Sequence, residues 1–65
     1  MSLGYALELR DRAERTWSMI DDLRASLRRY YPDAEPDATR ALRAFDNIVA
    51  QLEGEIVELR RTDND

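Results

Sequence analysis

The chain has 65 residues, a length that makes one domain and buries only about 60% of the surface its unfolded form exposes. Cysteine and histidine are both absent, which excludes disulfides and zinc sites of the Cys/His type and leaves oligomerisation as the usual remedy for a small scaffold. Ten basic and fourteen acidic residues give a net charge of −4, against the basic footprint of most nucleic-acid binders.

All of the basic residues are Arg, a bias that a GC-rich genome produces without functional cause. Charged residues make up 37% and apolar ones 43%, a mix too apolar for a disordered chain and suited to helices or a coiled coil. No segment reaches the roughly 18 to 20 uncharged apolar residues of a membrane span. The opening Met1-Ser2-Leu3-Gly4-Tyr5 lacks the basic start and apolar run of a secretory signal, so the expected location is cytoplasmic.

The first predicted element is a helix over about 3–31, roughly 42 Å long. Leu9, Ala13, Thr16, Ile20, Leu23, Leu27 and Tyr30 recur at alternating steps of three and four, a heptad seam whose one polar member is Thr16. Glu8→Arg12 and Asp11→Arg15 are i, i+4 pairs in the favourable order. Tyr5 and Met19 flank the seam on one side, with Leu3, Trp17 and Tyr31 on the other. Ala6, Ala13 and Thr16 make the first half of the seam thin, and Trp17 is the large residue expected to fill it. Arg28 and Arg29 suit the negative C-terminal end.

Pro32-Asp33-Ala34-Glu35-Pro36 is the one turn-like stretch, taken as a turn over 32–36. Pro36 suits the first turn of a second helix, beside the acidic Asp33, Glu35 and Asp37. That helix is predicted over about 36–61, roughly 37 Å, with Arg60 and Arg61 at its close and a frayed tail over 62–65. Its seam is Leu42, Phe45, Val49, Leu52, Ile56 and Leu59, flanked by Ala41 and Ile48.

Two helices of similar length around a short turn predict an all-α fold, an antiparallel helical hairpin in a single domain. The apolar face is wider than two helices need. Burying a large apolar side chain gains about 1.5–3 kcal/mol, so leaving Trp17, Met19 and Ile48 half wet forfeits several kcal/mol. The expected solution is a homodimer forming an antiparallel four-helix bundle. Its expected core and interface are Ile20, Leu23, Leu27, Trp17, Met19, Phe45, Ile48, Val49, Leu52, Ile56 and Leu59. Tyr30 and Tyr31 beside the turn, with outward Ala50 and Val57 on helix 2, form a second candidate partner surface.

Candidate chemistry is thin. Glu8-x-x-Asp11 and Glu55-x-x-Glu58 lie at the ends that a hairpin brings together. The spacing resembles the helical Glu-x-x-Glu and Glu-x-x-Asp pairs of the all-α nucleotide pyrophosphatases, a resemblance that implies a magnesium site and covers four residues. Heptad phase opposes it, since Glu8, Asp11 and Glu58 point outward and only Glu55 flanks a seam. Ser2, Ser18 and Ser26 have no neighbouring base of the usual kind. Asp21 and Asp22 diverge by about 100° on a helix and form no dyad. There is no Gly-rich phosphate loop, and Gly54 falls on the outer face of helix 2. No catalytic, metal or cofactor-binding residue is therefore expected, and the chain reads as non-enzymatic.

In size and hairpin layout the chain resembles the Rop family of dimeric RNA-binding bundles, which implies an RNA partner. No motif is shared, and Arg12, Arg15 and Arg29 are interleaved with Glu8, Asp11 and Asp22. Nucleic acid and membrane are not expected partners. The remaining expectation is a small interaction or regulatory protein, acting as a homodimer or as an acidic adaptor, antitoxin or immunity-type subunit that binds a different protein.

Overall fold

A computed structural model describes residues 1–63. Helix α1 runs from Leu3 to Tyr30 and helix α2 from Glu35 to Asp63, joined by a single 3-10 turn over Pro32–Ala34. The two helices pack against each other as a hairpin.

Each boundary has a local cause. Ser2 caps α1: its hydroxyl accepts from the Tyr5 N–H at 3.2 Å, and its carbonyl accepts from the Ala6 N–H at 3.0 Å. At the other end Pro32 forces Tyr31 out of helical angles, to φ −150° and ψ 70°. The Tyr31 N–H still donates to the Leu27 carbonyl at 2.7 Å, so α1 closes without an orphaned carbonyl there. The turn then tightens: Ala34 N–H donates to the Tyr31 carbonyl at 3.1 Å, and Glu35 N–H to the Pro32 carbonyl. No described residue takes a positive φ, so proline geometry and not glycine reverses the chain.

Both ends of α2 match its dipole. Glu35 and Asp37 occupy the first turn, Arg60 and Arg61 the last, and α1 ends in Arg28 and Arg29. The helix starts one residue before the expected position 36. It also continues through Thr62 and Asp63, against the frayed tail expected from position 62. The Thr62 hydroxyl donates to the Glu58 carbonyl at 3.0 Å, which ties the last turn down. Asn64 and Asp65, the rest of that expected tail, lie outside the described residues.

The core is slight. Ala6, Ala13, Ala38, Leu42 and Ile56 are buried, and no large side chain is completely shielded. Three of these five are alanines, which bring the helices close while burying little apolar area. Around them Leu3, Trp17, Ile20, Leu27, Phe45, Val49, Leu52 and Leu59 are half-buried. The α2 seam therefore lies where the heptad spacing puts it, extended by Ala38.

The α1 seam does so in part: Ala13, Ile20 and Leu27 are buried or half-buried at the contact. Leu23 and Tyr30, assigned to it by spacing, are 54% and 76% exposed. The line that meets α2 is Leu3, Ala6, Arg10, Ala13, Trp17, Ile20, Arg24 and Leu27, all buried or half-buried. Helix α1 is thus turned so that Trp17 moves from the flank into the contact. The cause is size: with Ala6 and Ala13 in the contact α2 can approach closely, and the bulkier stripe of Leu23 and Tyr30 is turned away. Arg10 and Arg24 hold seam positions half-buried, and the Arg10 Nε is buried without a hydrogen-bond partner among the described residues. The Arg24 guanidinium then donates from Nη2 to Asp21 Oδ1 at 2.7 Å.

The resulting body is a rod. Its principal extents are 53 × 14 × 12 Å and its radius of gyration is 15.2 Å. A compact domain of this length has a radius of gyration of about 11 Å.

Candidate interaction surface

One open side of the pair is identified by a shallow groove of about 290 Å³, lined by Glu14, Trp17 and Ser18 from α1 and by Asp46 and Val49 from α2. Its rim is acidic. The Trp17 indole nitrogen is buried and has no hydrogen-bond partner among the described residues.

The opposite side is apolar on both helices. Nine residues separate Glu14 from Leu23, and nine separate Asp46 from Glu55. At 100° per residue each interval is half a turn more than two full turns. Leu23, with Tyr5, Leu9, Thr16 and Met19 beside it, therefore faces away from the groove. So does Ile48, with Phe45, Leu52 and Leu59 beside it. Tyr5, Met19, Leu23 and Tyr30 on α1 and Ile48 on α2 are exposed, at 51%, 71%, 54%, 76% and 42%. Thr16 is neutralised internally, its hydroxyl donating to the Arg12 carbonyl at 2.8 Å, and the charged Arg12 and Glu55 stand exposed on the same side.

The expected interface residues fall into two groups. Ile56 is buried within the hairpin, and Ile20, Leu27, Trp17, Phe45, Val49, Leu52 and Leu59 are half-buried at the contact or its margins. Met19, Leu23 and Ile48 belong to the open apolar face. Of the second candidate surface, Tyr30 lies on this face, with the Arg29 guanidinium 5.4 Å from its ring centroid. Tyr31, Ala50 and Val57 are exposed as well. Ala50 and Val57 sit four and eleven residues after Asp46, which turns them to the groove side and away from the apolar face.

The charged groups are surface pairs. Arg10–Asp11, Arg24–Asp21, Arg40–Asp37 and Arg61–Glu58 are local to one helix. Arg28–Glu35, at 3.4 Å, joins α1 to α2 across the turn. The Glu35 carboxylate also accepts from the Thr39 hydroxyl at 3.0 Å, and that bond, followed by Arg28, holds its pKa below the ordinary value of 4.5. Glu8, Asp11, Glu55 and Glu58 are all exposed. Among the described residues no three carboxylates gather as a metal ion would require.

Sequence reasoning missed three features. The Ser2 cap follows the rule for helix starts and was legible. The seam roles of Arg10 and Arg24 and the Arg28–Glu35–Thr39 cluster depend on how the helices are rotated. No described helix is long and apolar enough to cross a membrane. Compared with protein-family models, curated proteins and solved structures, the chain matches none.

Proposed function

We propose that this protein is a non-enzymatic pairing module, a small interaction or regulatory protein whose working unit is a homodimeric four-helix bundle closed over the apolar face of the hairpin. The observation that carries the reading is the single face on which Met19, Leu23 and Ile48 stand exposed together. A compact monomer of this mass exposes about 4,300 Å². The hairpin exposes 4961 Å². The excess of roughly 650 Å² belongs to a thin rod of 53 × 14 × 12 Å, which leaves more of its surface in water than a compact chain of its mass does. A core of three alanines and two larger side chains also leaves an isolated hairpin short of stabilising burial, which a second hairpin on the same face supplies.

The test is association of the purified chain. Met19→Glu combined with Ile48→Glu puts charge into the face without touching the Ala6, Ala13 and Leu42 contact. The double variant is expected to abolish association in sedimentation or native mass spectrometry. Unchanged association would remove this face from the reading.

A further inference from the structure

We propose that the two hairpins dock about a twofold axis parallel to their helices, so that α1 of each chain lies on α2 of the other, both turns sit at one end, and Arg12 of each chain pairs with Glu55 of the other. The inference rests on the pairing reading and adds its geometry.

Heights along the rod are readable from the turn, since α1 closes at Tyr30 and α2 opens at Glu35. Arg12 lies 18 residues before Tyr30 and Glu55 20 residues after Glu35, so the two stand about 27 and 30 Å from the turn. Met19 and Ile48 match to the same tolerance, as do Leu23 and Ala44.

A twofold parallel to the helices moves no residue along the rod. Each α1 residue of the face then meets the α2 residue that already stands level with it, now supplied by the second copy. Arg12 lies two residues before Glu14, which places it on the apolar face of α1 between Met19 and Leu23. Glu55 lies on the same face of α2, half a turn from Asp46. Within one chain these two side chains stand on different helices of the face. Neither has an ion-pair partner among the described residues. Docking α1 on α2 brings both pairs together across the interface. It also sets Met19 on Ile48 and Leu23 over the small Ala44.

The competing closed arrangement has its twofold across the rod, α1 on α1, turns at opposite ends. With the axis at mid-rod, Arg12 then falls between Met19 and Leu23 of the second copy, and Glu55 between Ala41 and Ala44. Four charges would be covered by apolar side chains without partners, which is costly. The pairing of Arg12 with Glu55 thus favours the first arrangement, with Glu8 and Glu58 left at its solvated rim.

Charge exchange in the full chain tests it. In Arg12→Glu the homodimer carries two Glu–Glu clashes, and in Glu55→Arg two Arg–Arg clashes. Each is expected to raise the dimer dissociation constant roughly tenfold. Mixing the two variants restores near-wild-type affinity, because both pairs are then opposite in sign. Cysteine variants give a second reading under mild oxidation. A mixture of Met19→Cys and Ile48→Cys should form the mixed disulfide, with little of the Ile48→Cys self-disulfide. Absence of rescue on mixing, or a dominant Ile48→Cys self-disulfide in a chain that still dimerises, overturns the geometry and leaves the pairing reading intact. A wild-type chain that is monomeric overturns the pairing reading itself.

Discussion

Arg28, in the last turn of α1, reaches across the turn to Glu35, the first residue of α2, with Nη2 3.4 Å from Oε1. The same carboxylate accepts from Thr39 one turn further on, so one side chain joins the end of α1 to the start of α2. Its pKa is lowered, first by the Thr39 hydroxyl and then by Arg28. A carboxylate with a depressed folded-state pKa contributes stability above its unfolded value, and that contribution is lost as pH falls through the folded value. The hairpin should therefore lose a Glu35-dependent increment below about pH 4.5. Thermal melts of wild type and Glu35→Gln between pH 7 and pH 3 should converge at the acid end. Parallel curves across the range would show that the cluster stabilises nothing.

Leu42 and Leu23 separate the two kinds of burial. Leu42 is 4% exposed inside the hairpin, and Leu42→Ala should cost about 2–5 kcal/mol at any protein concentration. Leu23 lies on the outer face, and Leu23→Ala should act on association, raising the dimer dissociation constant by at least about tenfold. Concentration-dependent urea melts distinguish them. A Leu23→Ala effect independent of concentration would place Leu23 in the intramolecular core.

Trp17 carries a different liability. It is half-buried at the contact, and its indole nitrogen has no hydrogen-bond partner among the described residues. Trp17→Ala should cost about 3 kcal/mol, the low end for a buried aromatic. Trp17→Phe removes the unsatisfied donor, whose burial costs about 1–3 kcal/mol, so the net change should stay within about 1 kcal/mol. Equal losses in the two variants would show that the N–H is bonded.

Gly54 sits in the middle of α2, and a Cβ added there meets nothing within 4 Å. It lies one residue from Glu55, outside the apolar face. Gly54→Ala should raise stability by about 1 kcal/mol, as Ala exceeds Gly in a helix interior, and leave association unchanged. A loss of association in that variant would mark a second contact on the outer surface of α2.

The hairpin and its turn were legible from Pro32 and Pro36 and from the matched lengths of the two periodic segments. The α2 seam was legible as well, because Leu42, Phe45, Val49, Leu52, Ile56 and Leu59 form one unbroken stripe of large apolar side chains. Helix α1 carries two adjacent stripes that share Ala13, Ile20 and Leu27, and hydrophobicity favours the outer one. Tyr5, Leu9, Leu23 and Tyr30 read as more apolar than a line interrupted by Arg10 and Arg24. What decides is the close approach allowed by Ala6 and Ala13, together with the capacity of arginine to cover a contact with its stem. The same rotation leaves Met19, Leu23 and Ile48 on one open face, a joint property of two helices that neither segment reveals alone. The Glu35 cluster depends on how the 3-10 turn aims one carboxylate, which composition does not record.

Sedimentation equilibrium of the full chain at micromolar concentration tests the central claim most directly. A helical species of twice the 7.6 kDa chain mass, dissociating on dilution, is expected. A fully helical species of 7.6 kDa would contradict it.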